Sequence, residues 1–441
     1  MIDYQTNGQK NFTRQVVIMD IFSSSHLKVQ KTILSVCGAW PYQSNRTHII
    51  LQMIFLNGAI VFMLVPETVA FLKNLKDFDF LMRCLPMLCA SILASCKGVV
   101  LFQSINKTRI LLDEVRQDWE DFGHVDIEFS IVQKYAKKAK QITVFYASGY
   151  YFMVICYYLM PCVATLMDHI VPLNESRQRE LIYPGDFYVH TDEHFFVILT
   201  MEWYGIVTAG HLVLTLDTLY ITLMFHTCGM FAVLCNRLEN LNNQIFETSK
   251  YQLRQDNTAC INQDKMIYLY LTECVKLHLK CIKYAEHLNS TMNVAFFTDV
   301  AFGVLVGSAA AVKFVLSIND PNERVIYGSL YINQSIRIFI NCFPGQLLID
   351  HSNYVKIAAS KNKWYELPEN SKKLLLLMMM RSVKSTAFVV ANMFTMNFDL
   401  FSKHLKRGSF FFHSFRYSSD VKNTIKSIYR MRNEFVSTGR L

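Results

Sequence analysis

Charge is scarce in this chain: Asp, Glu, Lys and Arg make up 18% of its 441 residues, where a soluble domain carries about 25%. A water-facing globular surface is excluded for most of its length. Helix-breakers are scarce too, with 16 glycines and 9 prolines, so long stretches run without a turn signal. The motifs of catalysis are missing: there is no HExxH, no GxSxG, no P-loop and no GxGxxG after a strand. Those absences remove the common hydrolase, NTPase and dinucleotide-binding classes, and neither an enzyme nor a cofactor is expected. The twelve cysteines include no CxxC and no Cys/His cluster at metal spacing. Most lie inside apolar segments, where they act as small core hydrophobes rather than as a zinc or disulfide framework. The net charge of +9 is distributed between apolar runs and forms no Arg-aromatic patch, which points to a membrane surface and not to nucleic acid.

What is abundant is apolar sequence, 52% of the chain, with 13% aromatic residues and a mean hydropathy of +0.19. A bilayer core of about 30 Å takes roughly 20 helical residues to cross. Seven stretches qualify: His48–Pro66, Phe80–Gln103, Gln141–Met167, Val197 to about Tyr220, Val294–Ser317, Ile326–Ile349 and a weaker one, Phe388–Phe415. The expectation is an all-α polytopic membrane protein with seven transmembrane helices. The fourth run stays apolar to Cys235 with no proline or polar loop on the way, so one long helix is expected to leave the membrane there. No cleavable leader is visible before the first span, which is expected to be its own anchor.

Basic residues orient the chain. Loops on the N-terminal side carry clusters such as Lys134, Lys137, Lys138 and Lys140, whereas the opposite loops hold only Lys73, Lys76, Arg177, Arg179 and Arg324. The positive-inside rule then puts the N-terminus in the cytoplasm and, after seven spans, the C-terminus outside, the reverse of a G-protein-coupled receptor. Asn174-Glu175-Ser176 is the sequon in an outward loop, so Asn174 is either a glycan site or an unused sequon. On the cytoplasmic side, "LPENSKKLLLLMMMRS" (Leu367–Ser382) holds an apolar run too short to cross. It reads as a short helix packed on the extension of the fourth span and on the helix-like loop 236–291, where Met266, Leu269, Tyr270, Leu277 and Leu288 recur near helical spacing. Such a bundle either joins subunits or forms one intramolecular core.

Ionisable residues inside the spans, Lys97, Glu202, Asp299, Lys313 and Arg337, each cost roughly 2.5–3.5 kcal/mol near the bilayer centre. Most lie close to a span end, so snorkelling to the interface is expected and none is given a proton-relay role. Gly303-x-x-x-Gly307, followed by Ser308–Ala311, allows another helix to approach closely. In the last span Lys403, His404, Lys406 and Arg407 interrupt the apolar run. Facing a water-filled path shared by subunits they are tolerable, and Arg407, Phe411, Ser414 and Ser418 fall on one helical stripe; the other reading is an interfacial segment that never spans. The outer halves of the second and third spans carry Met87, Tyr150, Tyr157 and Tyr158, and those of the fourth and sixth carry Met201, Tyr204, Tyr327 and Tyr331. Side chains of this kind suit a ligand pocket with an apolar wall and a few polar tips, and equally suit helix interfaces. A receptor, channel or transporter fits this inventory; with no internal repeat visible, a transporter fits least.

Four C-terminal words, "CFPGQLLIDHS" (Cys342–Ser352), "WYELP" (Trp364–Pro368), "KKLLLLMMMRS" (Lys372–Ser382) and "FDLFSKHLK" (Phe398–Lys406), resemble in order and spacing the insect odorant receptors, most like the odour-tuning subunits of ants, bees and wasps. The resemblance implies an odorant-gated, non-selective cation channel formed with the family's co-receptor as a heterotetramer, in the plasma membrane of olfactory sensory neurons. It implies that a small volatile or hydrocarbon-like odorant binds among helices two, three, four and six. The organisation it implies is a cytoplasmic N-terminal segment (1–46), four spans with the extension of the fourth (47–235), a cytoplasmic helical anchor loop (236–291) and spans five and six (292–349). An anchor part of helix seven (350–387) and its pore-lining part (388–419) follow. Members read Ser-Tyr or Thr-Tyr where this chain has Phe410-Phe411, and apolar pore-narrowing residues where it has Ser414 and Ser418. They usually end near Ser419, so the tail 420–441, with Lys422, Lys426, Arg430, Arg432 and Arg440 on the expected outer side, is expected to be an alternative or misjoined end. The alternative function is a metabotropic seven-helix chemoreceptor of the G-protein-coupled class, which predicts a cytoplasmic C-terminus.

Overall fold

The computed structural model describes residue 22 and residues 27–43, 45–170, 181–182, 185–187, 193–241, 259–317 and 321–406. In chain order the first helices are α1 (Lys28–Val36), α2 (Arg46–Lys73), α3 (Phe78–Gln103), α4 (Ile105–Phe122) and α5 (Asp126–Ile170). Then come α6 (Phe195–Glu239), α7 (Ala259–Leu316) and α8 (Pro321–Ser360). A 3-10 turn at Trp364–Glu366, helix α9 (Glu369–Arg381), strands β1 (Val389–Val390) and β2 (Phe394–Thr395), and a helix α10 over 398–406 complete the path. By length and composition α2, α3, α5, α6 and α7 are able to cross a bilayer; α8, at 40 residues, is long enough but more polar.

α6 is the central post. Of its most apolar stretch 89% is buried inside the protein, against 17% for α2 and 11% for α5. A helix enclosed on all sides keeps no polar face, and α6 packs on α1, α2, α3, α5, α7 and α8. It runs unbroken for 45 residues, about 68 Å at 1.5 Å per residue, as the lack of any break in its sequence predicts. α7 is longer still, 58 residues. The boundaries expected at 235/236, 291/292 and 349/350 therefore fall inside continuous helices. Of the stripe expected within 236–291, Leu277 and Leu288 are buried while Met266 and Leu269 are exposed.

The short apolar run is α9. It buries Ser371, Leu375 and Met378 and packs chiefly on α7 and α8 rather than on the extension of α6. That extension is already covered there: Tyr270 of α7 donates to the Arg237 carbonyl at 3.0 Å, and Asn362, just past α8, donates to the Leu238 carbonyl at 2.5 Å. Leu377, Met380 and, beyond the helix end, Val383 stay exposed at 62%, 71% and 70%.

The helix expected from Phe388 is instead a two-stranded antiparallel hairpin, which pairs Val389 with Thr395 and Val390 with Phe394; helix begins only at 398. Ala391 and Asn392 take left-handed φ values of 50° and 56°, a region no right-handed helix visits and one that Asn tolerates. Asn289 and Asn293, one turn apart on α7, accept the backbone N–H groups of Val389 at 3.0 Å and Ala391 at 2.8 Å. With those donors taken by side chains, the backbone has no need of a helical ladder. Phe388 anchors the hairpin, its ring 4.9 Å from Tyr220 and 5.5 Å from Phe296. Asn174, Arg407, Phe411, Ser414, Ser418 and the tail 420–441 lie outside the described residues.

At the end of the bundle where the basic loops gather, α4 is fastened to α6 and α7 through one carboxylate. Asp118 is fully buried and accepts from His226 Nε2 at 2.9 Å, while the Lys280 ammonium pairs with its other oxygen. Burial opposes ionisation of this carboxyl, but the hydrogen bond and charge of His226, together with Lys280, overcome it and hold its pKa below the ordinary value. A depressed carboxyl stabilises the fold fully above its unfolded-state pKa of about 3.9 and loses that contribution as pH falls through the folded-state value. Asp118→Asn is expected to lower the thermal midpoint of the solubilised protein at neutral pH and to flatten its decline below about pH 4. An acid decline identical to that of the unmutated chain would rule this out.

Candidate functional site: an apolar cavity beside a buried ion cluster

The charged residues in the spans do not snorkel; they meet. Lys97 of α3 is fully buried, with Nζ 2.5 Å from Asp217 Oδ1 of α6 and 2.5 Å from Asp299 Oδ2 of α7. Arg337 of α8 donates to Asp299 Oδ1 at 2.6 Å, and the Tyr146 hydroxyl of α5 donates to Asp217 Oδ2 at 2.9 Å. Two cations and two carboxylates cancel, which is how such groups survive away from water. Lys313 is paired as well, 2.6 Å from Asp79 and 3.5 Å from Glu323, and Glu202 is buried, accepting the Ile182 N–H at 3.0 Å. Asp217 escaped the sequence reading. Its signal was a lone carboxylate in the middle of a long apolar run, with Lys97 and Arg337 as unclaimed counter-charges.

Beside this cluster lies a cavity of about 450 Å³ walled by α2, α3, α5, α6 and α8, with Val306 of α7, within the usual size for small-molecule sites of about 300–1,000 Å³. Tyr146 and Arg337 belong to both cluster and wall. Most wall hydroxyls are already bonded within the protein. Tyr150 donates to the carbonyls of Ile206 and Val207 at 3.0 and 3.1 Å, Tyr157 lies 3.3 Å from Ser329 Oγ, and Ser91 donates to Glu67 at 3.0 Å. Gly210 permits the first of these, because a Cβ there would overlap the Tyr150 ring. Gln334 contributes a buried amide nitrogen with no hydrogen-bond partner among the described residues. The interior is therefore mostly apolar, with the Gln334 amide as an open hydrogen-bond donor.

Of the residues expected to bind a ligand, the fold brings Met87, Tyr150 and Tyr157 together on this wall. The other five lie elsewhere. Tyr158 packs on Trp203 with centroids 5.2 Å apart, Tyr204 packs on Phe55 at 5.3 Å, and Met201 is 47% exposed. Tyr327 lies beneath the Lys313 ammonium, 5.6 Å from its ring. Tyr331 is on the opposite face of α8 from the cavity. There Tyr331, Ser335, Phe339 and Phe343 recur every four residues, one helical stripe, and pack on α10. Tyr331 stacks on His404 at 6.1 Å, Ser335 Oγ lies 3.4 Å from His404 Nε2, and Phe339 meets Phe398 and Phe401 at 5.9 and 5.2 Å. Gly307 of α7 leaves room for the same histidine, since a Cβ there would stand 3.1 Å from His404 Cε1. Aromatic content could not separate these two faces, because both are equally apolar in sequence.

A helical bundle with apolar outer faces, a buried ion cluster and a cavity of small-molecule size between its helices is the architecture of a polytopic membrane protein. The family model described as 7tm Odorant receptor matches residues 77–407, and the chain belongs to that family, a family of receptors rather than of enzymes. It is 20% identical to Odorant receptor 67c of Drosophila melanogaster over 330 residues, 73% of this chain and 76% of that protein. It is also 23% identical to Odorant receptor Or2 of Anopheles gambiae over 42% of this chain and 47% of the relative. The structure of the insect olfactory receptor OR5 from Machilis hrabei in complex with eugenol superposes with a TM-score of 0.69 at 14% identity, covering 88% of this chain and 96% of that one. A second structure of OR5 from Machilis hrabei gives 0.66 at 14% identity, over 89% and 98%. The fold is thus the seven-span fold of insect odorant receptors.

Removing one member of a buried ion pair costs about 3–5 kcal/mol, because its partner is left charged and unmatched. Asp217→Asn or Lys97→Met alone is therefore expected to reduce cell-surface labelling and thermal midpoint sharply, and Lys97→Met with Asp217→Leu to recover a good part of both. Single and double variants of equal stability would show that the two charges do not act as a pair.

Proposed function

We propose that this odorant receptor is the odour-tuning subunit of an odorant-gated, non-selective cation channel, assembled with the family's shared co-receptor as a heterotetramer in the plasma membrane of olfactory sensory neurons. The observation that carries the reading is the two-sidedness of α8. One face of it walls the cavity through Ser329, Asn333, Arg337 and Ile340, and the other carries the stripe that packs on α10. A ligand filling the cavity presses on the same rigid element that supports the last helix, which is what a ligand-gated pore needs. In this reading Met87, Tyr150 and Tyr157 contact the odorant, a neutral and mostly apolar molecule suited to a balanced, apolar interior. The pore is lined beyond α10, by the stripe Arg407, Phe411, Ser414 and Ser418, and the exposed Leu377, Met380 and Val383 around α9 meet a neighbouring subunit.

The test is whole-cell current from cells expressing this chain with the co-receptor, across an odour panel and under G-protein blockade. A fast cation current that survives blockade is expected. Met87→Trp, which fills the cavity, is expected to raise the half-maximal odorant concentration at least about tenfold, while Met201→Ala leaves it unchanged. A response abolished by blockade would favour the metabotropic reading instead.

A further inference from the structure

The wall of the cavity is thin in one place. Phe145 of α5 and Ile332 and Ile336 of α8 line it, yet they are 72%, 59% and 48% exposed on the outside of the protein. Gly149 of α5 lines it as well, is exposed, and would point a Cβ into open space, with nothing within 4 Å. On each helix the two residues are four apart, so each pair forms one flank of a slot. α5 and α8 are bridged at either end of it, by Tyr157 and Ser329 at 3.3 Å and by the hydrogen bond between Tyr135 and His351.

The surroundings of the slot say what it opens onto. The outward face of α5 continues from Phe145 through Phe152, Ile155 and Leu159, all exposed. In the other direction the same face reaches the exposed Lys134 and Lys138; Lys138 is seven residues from Phe145, about 10 Å along the helix. An exposed apolar stripe that ends in lysines is a surface in hydrocarbon with its cations at the headgroups. The slot therefore lies at hydrocarbon depth.

We infer that the cavity is entered sideways from the bilayer, between α5 and α8, by neutral lipophilic molecules already dissolved in the membrane. This rests on the cavity being the ligand site but not on the channel activity. An apolar rim presents no barrier to a molecule arriving from hydrocarbon, whereas a charged molecule would have to shed its water to pass.

The experiment is photolabelling by adamantyl diazirine confined to the bilayer of vesicles that hold the receptor with its co-receptor, read by mass spectrometry. Leu93 and Ala94 on the α3 wall are 4% and 1% exposed, so label reaches them only through the cavity. Label on these residues is expected in the unmutated receptor. It is expected to fall at least about fivefold in Gly149→Leu and Ile336→Phe, which narrow the slot, while label on the lipid-facing Leu159 stays constant and reports an intact fold. Equal labelling of Leu93 and Ala94 in both variants, or none in the unmutated receptor, overturns the inference. Labelling that behaves as expected in a receptor giving no odorant current would leave the membrane entry standing and remove the channel reading.

Discussion

Four side chains carry the centre of this receptor. Lys97, Asp217, Asp299 and Arg337 come from α3, α6, α7 and α8, and Tyr146 adds a hydrogen bond from α5. Any one of them alone in an apolar bundle would be expensive. Joined, they sum to no charge and tie five helices at one level, so none of those helices can slide or rotate without parting an ion pair or, for α5, the Tyr146 hydrogen bond. This is a constraint on register that apolar packing, which is non-directional, does not supply.

The rest of the site follows from that register. With α3, α5, α6 and α8 held at one level, the small residues of α6 lie opposite Tyr150 and the space between the helices becomes a cavity with a neutral wall. The same pinning fixes which face of α8 looks inward. Its cavity face and its α10 face are then two sides of one rigid rod, and the hairpin at 389–395, clamped by Asn289 and Asn293, sets where the last helix starts.

Much of this was legible in the residues. The long spans, the unbroken fourth helix and the short apolar run followed from hydropathy, length and the lack of breakers, which are local properties. Three of the eight expected ligand residues, Met87, Tyr150 and Tyr157, line the cavity, since they sit on helices that wall it. The other five lie off that wall for one reason. An aromatic on a membrane helix has the same sequence signature whether it faces a cavity, a neighbouring helix or lipid, and Tyr331 and Tyr157 differ only in the direction their helices turn them. Asn289 and Asn293 were likewise silent, being unremarkable polar residues until a hairpin comes to lie against them.

By itself the sequence determined the class of solvent and where the long apolar runs lie, since both depend on composition within a window shorter than one helix. The tertiary structure alone decided that the intramembrane charges pair instead of snorkelling, that the stretch after Phe388 is a hairpin and not a helix, and that one stripe of α8 meets a cavity while the next meets α10. Those outcomes depend on partners 38 to 234 residues away along the chain, and no local pattern encodes which of several equally apolar or equally charged neighbours a side chain will find.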